Sequence, residues 1–586
     1  MERLRSAFSI IRLCLCVSLV STFSNCCAET IVESFSPGQP KVWQMPLAAP
    51  SRLETLTVTN RGSHPVTQVI VREANRDWSS SGAILDTILK DKHPADDREK
   101  ALGIYQYVQD YIASEAYRSR YDCYDIWKAF NCYGMGHCEF HARLLAGLFE
   151  MAGLASLELN LALKSPPRFA HTICEVFFAG SWRLLDSHGH TFFLQRDNKT
   201  ISSWDNLVAD PLLLKRCRVP QYEYLGLFKN EEMVNKENQT EFFLTHKKSR
   251  GSKDDGPEHS LILRSGESFC FNRNGEGVFV NNFRAEDYIP INPTSKGILR
   301  THFPASRVGW RNVTHSEGFT QDKEGSLSLP PGKKGSLAVD IQLPYPIVKG
   351  SVQVAFEVLD SSSELSLSAE KKEYPKVKPE VISNWKSPGK FSEKVDLDEI
   401  ISRWNKPFVS YSYSIGLVAS GKIRLISLEL ETVCEVAQSS LPRPTESPWI
   451  MSASGQLGES IEVKLETVPL PPEAETPQII QEIQNITGEK TLTFSWLEPA
   501  VIKSKNIPSE QVQYDLVISD DSEFRWYLLP LMHLRKDISQ TSFTIPREYL
   551  PDSGKHYWKV CTRLDGYEPS PWSSIGQVSY SKPSGK

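Results

Sequence analysis

Apolar and polar positions follow three regimes along this chain. Residues 29–78 alternate with period two, in LETLTVTN and again in PVTQVIV. This predicts strands over 53–59 and 66–71 joined by a Gly-Ser-His-Pro loop. The pattern then turns helical. A short helix is expected over 84–89 and a longer one over 96–114. In the longer one Asp96 and Glu99 have capping-box spacing, and Ala101, Tyr105, Val108 and Ile112 share a face. A third helix is expected to open at Cys138, where Ala142, Leu145, Leu148 and Phe149 recur three and four residues apart and Gly153 marks the stop. Period two returns in strands over 171–178 and 181–186, with Ala179-Gly180 as a two-residue turn. Residues 187–211 read as a hairpin and a final short helix. From 221 to 465 short alternating runs are separated by Gly, Pro, Ser and Asn clusters, which predicts one or two all-β sandwich modules. VPLPPEAE, 468–475, reads as a linker with few contacts. Alternation resumes after it.

The expected organisation is therefore multidomain. A targeting segment 1–28 precedes a β segment 29–80. An α+β core 81–220, a β-rich module 221–345, a β-sandwich 346–467, the linker 468–475 and a last sandwich 476–582 follow. A length of 586 residues suits three to five domains. The net charge of −5 offers no electrostatic footprint for nucleic acid, so no nucleic-acid partner is expected. Arg3, Arg5 and Arg12 flank the apolar run 13–20, and small residues lead to Ala28. That is the layout of a cleaved signal peptide, with lipidation of Cys26 as the lesser reading. The expected location is periplasmic, cell-surface or extracellular, with no transmembrane span. Export permits disulfides, and Cys123 with Cys132 would close a small loop; buried thiols are the equal alternative.

Candidate chemistry centres on YGMGHCEFH, 133–141. A glycine-rich turn leads into a helix, and Cys138 stands at its first turn. Unpaired backbone N–H groups there favour a thiolate, which suits a nucleophile. The two-residue turn pairs Phe178 with Ser181 and, stepping outward, Ile173 with Asp186. His171 then shares a face with Asp186 as its diagonal neighbour, about 7–8 Å away. Metal binding is the competing reading. Cys132, His137, Cys138 and His141 cluster without a standard zinc spacing. His188 and His190 alternate in a stretch where a solvated pair is the simpler expectation. No calcium loop is evident, and no cofactor or metal is expected.

These residues carry a resemblance. A cysteine in a G-x-C turn opening a helix, a histidine opening a strand and an aspartate closing a W-x-x-x-D strand resemble the transglutaminase-like superfamily. The resemblance covers about 94–215. It implies a papain-like α+β core with Cys138, His171 and Asp186 as a catalytic triad. It further implies a cysteine protease or amidase that works through an acyl-enzyme on a protein, peptide or glycoconjugate. The alternatives are a cross-linking transglutaminase, or an inactive binding or adhesion protein on the same scaffold. Trp127 is the nearest upstream tryptophan for an oxyanion donor, and a poor match. The strands before the linker resemble a galactose-binding-like jelly roll, which would add carbohydrate or cell-surface contact. The last segment resembles a fibronectin type III domain. There Trp496 lies in LTFSWLEP and Tyr557, after a Leu-Pro turn, matches a tyrosine corner, with both expected in the core.

Overall fold

The computed structural model describes residues 29–45, 51–114, 125–162, 170–197, 199–210, 213, 259–273, 294–306, 310, 312–372, 379–405, 409–444, 447–480, 483–487, 491–504, 507–508, 511–527, 529–531, 538–546, 554–564 and 567–581. The signal-peptide segment, Cys123 and Cys217 lie outside the described residues.

Alternation produces strands as expected, but their partners lie far away in sequence. Glu29–Phe35 and Ser51–Asn60 flank Ile461–Pro469 in a ten-stranded sheet. Ser51–Asn60 also pairs with Ser268–Asn272, and the sheet continues through Thr294–Phe303 to Ile423–Ala437. Ile347–Val358 pairs with this last strand too. A five-stranded sheet contains Lys333–Gln342, Ser412–Gly421 and Glu364–Lys371. Val352, Val354 and Phe356 of the large sheet share one apolar core with Leu337, Val339, Leu365 and Leu417 of the smaller. Lys333–Gln342 and Ser412–Gly421 lie on either side of the 345/346 boundary and yet pair, so that boundary separates no two sheets. Likewise, the segment 29–80 is part of this β unit. The helical region is inserted between Thr67–Glu73 and Ser268–Asn272 of it. Period-two alternation says which face of a strand is buried and nothing about its partner.

The longest described helices of the insert are α1 (Ser81–Lys92), α2 (Asp97–Tyr111) and α3 (Cys138–Met151). Ser80 caps α1 by accepting from the Ala83 N–H at 3.1 Å. Asp96 caps α2 by accepting from the Glu99 N–H, while Glu99 reaches back to the Ala95 N–H. α2 stops at Tyr111, short of the expected 114, because Ala113–Ser114 turns extended and pairs in parallel with Met135–Gly136. α3 packs on α2 and on a three-stranded sheet: β1 (Ser156–Ala162), β2 (Ala170–Phe178) and β3 (Ser181–Leu185). The β2–β3 register is Phe178 to Ser181 and Cys174 to Leu185, the pairing that the two-residue turn dictates. Past β3 the chain makes bridges at Asp186–Thr191 and Leu194–Ile201. A short helix, Trp204–Ala209, follows under a Ser203/Asn206 capping box.

The last segment is a sandwich of a three-stranded sheet (Gln478–Ile479, Thr491–Leu497, Ser542–Pro546) and a five-stranded one centred on Gly554–Leu564 and Val512–Ser519. Trp496 fills its core with Phe494, Tyr514 and Trp558. Tyr557 does not. It is half-buried on the opposite face from Trp558, since neighbours on a strand face opposite ways and the larger ring takes the core. The expected linker is not contact-free either. Val468 and Pro469 still pair with Arg52 and Ser51, Glu473 bridges Glu568, and Ala474 is buried in the sandwich core.

Candidate active site

Local geometry at the start of α3 is tightly specified. Gly136 leaves no room for a side chain, since a Cβ there would lie 2.3 Å from the Phe140 ring. His137 is the N-cap. Its Nδ1 accepts from the Glu139 and Phe140 N–H groups at 3.1 and 3.3 Å. Nδ1 is therefore unprotonated. Cys138 follows at the first helical position, partly exposed. Its own N–H belongs to the first turn, where no intrahelical acceptor exists.

β2 and β3 bring the other two residues to it. His171 Nε2 and Asp186 Oδ2 are 2.8 Å apart, and both side chains are at most 2% exposed. Cys138 lies near enough to His171 to favour charge on its imidazole. With Nε2 committed to Asp186, Nδ1 is the ring nitrogen left to serve the thiol. Burial opposes charge on the imidazole, but the Asp186 carboxylate, by charge and hydrogen bond, outweighs it with help from Cys138. The His171 pKa is pushed up to about 10. Burial likewise opposes charge on Asp186. His171, His188 and the Gly189 N–H outweigh it and hold the carboxyl below its usual range. Gly189 donates to Asp186 Oδ1 at 2.7 Å. A Cβ on Gly189 would meet Asp186 Oδ2 at 2.4 Å, so only glycine permits that approach.

The sequence reading missed a ring of partners around the pair. His141, one turn along α3 from Cys138, is buried. Its Nδ1 is 3.1 Å from Ser187 Oγ and its Nε2 is 3.2 Å from the Ala113 carbonyl. A carbonyl only accepts, so Nε2 carries the proton and Nδ1 accepts from Ser187. Burial pushes the His141 pKa well down. His188 and His190 are not a solvated pair. His188 is 7% exposed, and His190 Nε2 is 3.0 Å from Ser114 Oγ. The i, i+3 spacing of Cys138 and His141 was the available signal; nothing marked Ser187 or His188 as buried. Three of the four residues weighed for zinc have other partners. His137 caps, His141 bonds Ser187, and the buried Cys132 thiol donates to the Pro344 carbonyl at 3.7 Å. Among the described residues no group of three or more His, Cys, Asp or Glu side chains is placed to hold a metal.

A cavity of about 550 Å³ lies between the helical insert and the β unit, lined by Leu56, Val69, Trp78, Trp127, His259 and Tyr345 among others. None of Cys138, His171 or Asp186 lines it. Size favours that cavity as a site, but the nucleophile–base geometry lies elsewhere, and chemistry is the better guide. Trp127 is committed to this cavity, its ring stacked on His259 at 4.6 Å.

Comparison with known proteins adds little. No family model matches the chain, and no curated protein matches it. Solved structures with partial likeness include the C-terminal CBM6 of LamC, a marine laminarinase from Zobellia galactanivorans. It is 12% identical, covering 22% of this chain and 98% of that one, at a TM-score of 0.16. The chicken CNTN1 FN1–FN3 domains are 11% identical over 43% of this chain and 67% of theirs, at 0.14. A β-1,2-glucanase from Parabacteroides distasonis is 12% identical over 47% and 36%, at 0.13. Likeness at these scores carries no assignment. No helix among the described residues is long and apolar enough to cross a membrane.

Proposed function

We propose that this chain is an exported cysteine hydrolase of the transglutaminase-like superfamily, acting on an amide bond in a protein, peptide or glycoconjugate. The observation that carries the reading is one imidazole, His171, bonded to buried Asp186 at 2.8 Å with Cys138, at the start of a helix, near enough to favour its charge. Cys138 Sγ attacks the amide carbonyl and its proton resides on His171. The Cys138 N–H and the helix start hold the oxyanion. His171 delivers the proton to the leaving amine, which departs as the acyl-enzyme forms. Water, deprotonated by His171, then releases the acid and restores the thiol. Asp186 fixes the ring and balances the imidazolium. An amine in place of water would give transfer instead of hydrolysis. The sandwich at 476–582, with its three- and five-stranded sheets, is read as fibronectin type III-like and the strands ahead of it as a glycan- or surface-contacting module.

The test needs no known substrate. Full-length protein is treated with limiting iodoacetamide at pH 5–6, and each cysteine peptide is quantified by mass spectrometry. Cys138 is expected to react fastest, and His171→Ala to bring it to the rate of an ordinary thiol. A Cys138 that reacts no faster than the other cysteines in the wild type sinks the proposal.

A further inference from the structure

The turn that follows Asp186 is unusually well used. Asp186 and Thr191 exchange backbone hydrogen bonds at 3.0 and 2.9 Å, leaving residues 187–190 as its tip. Ser187 bonds His141 on α3, Gly189 holds Asp186, and His190 reaches Ser114. His188 instead packs inward. Its ring centroid lies 5.9 Å from that of His171 and 5.5 Å from that of His141. The titratable groups that act on it are Asp186 from its own turn, His171 from β2 and His137 and His141 from the first turns of α3.

We infer that His188 is a positioning residue for the His171–Asp186 pair: its neutral ring walls the pair off from water, and its protonation disarms it. The inference rests on the reading of Cys138, His171 and Asp186 as an active site. An ion pair is stronger where water is excluded, because less solvent screens it. A ring at 7% exposure beside that pair performs the exclusion. Among the described residues, Asp186 is the carboxylate that acts on both rings. A cation on His188 would compete with His171 for Asp186 and repel the imidazolium. Burial keeps the His188 ring neutral against the pull of Asp186, and its pKa falls to about 4. It is thus uncharged between about pH 4 and pH 10, where His171 is charged. Burial keeps His141 behind it neutral, so no cation approaches from that side.

Full-length wild type, His188→Phe and His188→Ala are compared by two readouts. The first is the titration midpoint of His171, from ¹³C-labelled histidine NMR in a Cys138→Ser background. The second is the pH profile of Cys138 labelling by iodoacetamide. His188→Ala admits water, so the His171 midpoint falls and labelling slows roughly tenfold. His188→Phe keeps a ring, so the midpoint returns toward wild type while the acid inflection near pH 4 disappears. A His188→Ala midpoint and profile equal to wild type overturn the inference, whether or not Cys138 is reactive. A midpoint that moves while wild-type Cys138 reacts as an ordinary thiol upholds the positioning role and removes the catalytic reading. That separates the two failures.

Discussion

At the scale of the residue, the site depends on a few atoms whose removal has graded effects. Cys138→Ala is expected to abolish amide-directed activity with little change in fold, since the side chain is partly exposed at a helix start. Asp186→Asn is expected to cost roughly a hundredfold or more in kcat/KM, because an amide cannot balance the imidazolium and can impose the wrong tautomer. A loss under about threefold, roughly 0.7 kcal/mol, would take Asp186 out of the triad. Gly189→Ala is a sharper probe of the same carboxylate. Its Cβ would sit 2.4 Å from Asp186 Oδ2, so the turn or the carboxylate must shift. The expectation is about 1–3 kcal/mol of lost stability together with slower Cys138 labelling. Normal labelling in a stable Gly189→Ala protein would show that Asp186 tolerates displacement. These residues were legible in the sequence to different degrees. Cys138, His171 and Asp186 were, because a helix start and a two-residue turn fix where each side chain goes. Ser187, Gly189 and His188 were not, because their roles follow from a tip whose folding inward no local pattern encodes.

At the scale of the element, the β2–β3 hairpin carries a strained residue. Ala179 has φ 49°, in the left-handed region, beside Gly180 at φ 74°. An ordinary L-residue there costs roughly 1–2 kcal/mol, and asparagine tolerates it better. Ala179→Asn should therefore raise stability, by about 0.5 kcal/mol or more in urea unfolding; a lower midpoint would contradict the assigned turn. The buried histidines give the same element group a pH signature. His188, pKa about 4, and His141, well below its ordinary value, both titrate lower folded than unfolded. Below the unfolded value, about 6.5, the unfolded chain takes up protons that the folded chain refuses, so stability falls as pH drops from there toward 4. His171 has the opposite sign. Its folded pKa of about 10 lies above the unfolded value, so its contribution is full below about 6.5 and is lost as pH rises through 10. Asp186, shifted downward by the same contact, loses its contribution only as pH falls below the ordinary carboxylate range. The summed contribution of these residues peaks near pH 6.5. Urea midpoints across pH 4–10 test this: His188→Phe should flatten the acid limb and His171→Phe the alkaline one. Variant profiles that run parallel to wild type would rule out both.

At the scale of the whole molecule, the sequence was least informative. Alternating runs announced the strands, but Glu29–Phe35 finds its partner in Ile461–Pro469 across the entire insert, and no local period encodes such a pairing. The C-terminal sandwich shows the same limit. Its core is its own, yet the loop after Val512–Ser519 is docked on the helical insert. Arg525 Nη1 donates to the carbonyls of Lys92 and His93 at 3.2 and 2.9 Å, satisfying the end of α1. Arg98 pairs with Asp520 at 2.9 Å, and the Tyr527 N–H donates to Gln106 Oε1 at 3.0 Å. Trp526, from the sandwich, is buried with the core of the larger unit. The sandwich is thus neither a free module nor fused beyond separation. Trp526→Ala removes a large apolar side chain that crosses, at a cost of about 3–5 kcal/mol in the docked state. The sandwich core of Leu492, Phe494, Trp496 and Trp558 is untouched. Calorimetry of the full chain should then show the sandwich melting as a separate, earlier transition, where wild type melts it with the helices. A fragment 470–582 should unfold cooperatively, and one starting at 476 less stably, because Ala474 and the Glu473–Glu568 bridge are lost. Should Trp526→Ala leave the calorimetric profile unchanged, the polar contacts of Arg525 and Arg98 carry the docking. Substituting them together would then produce the split.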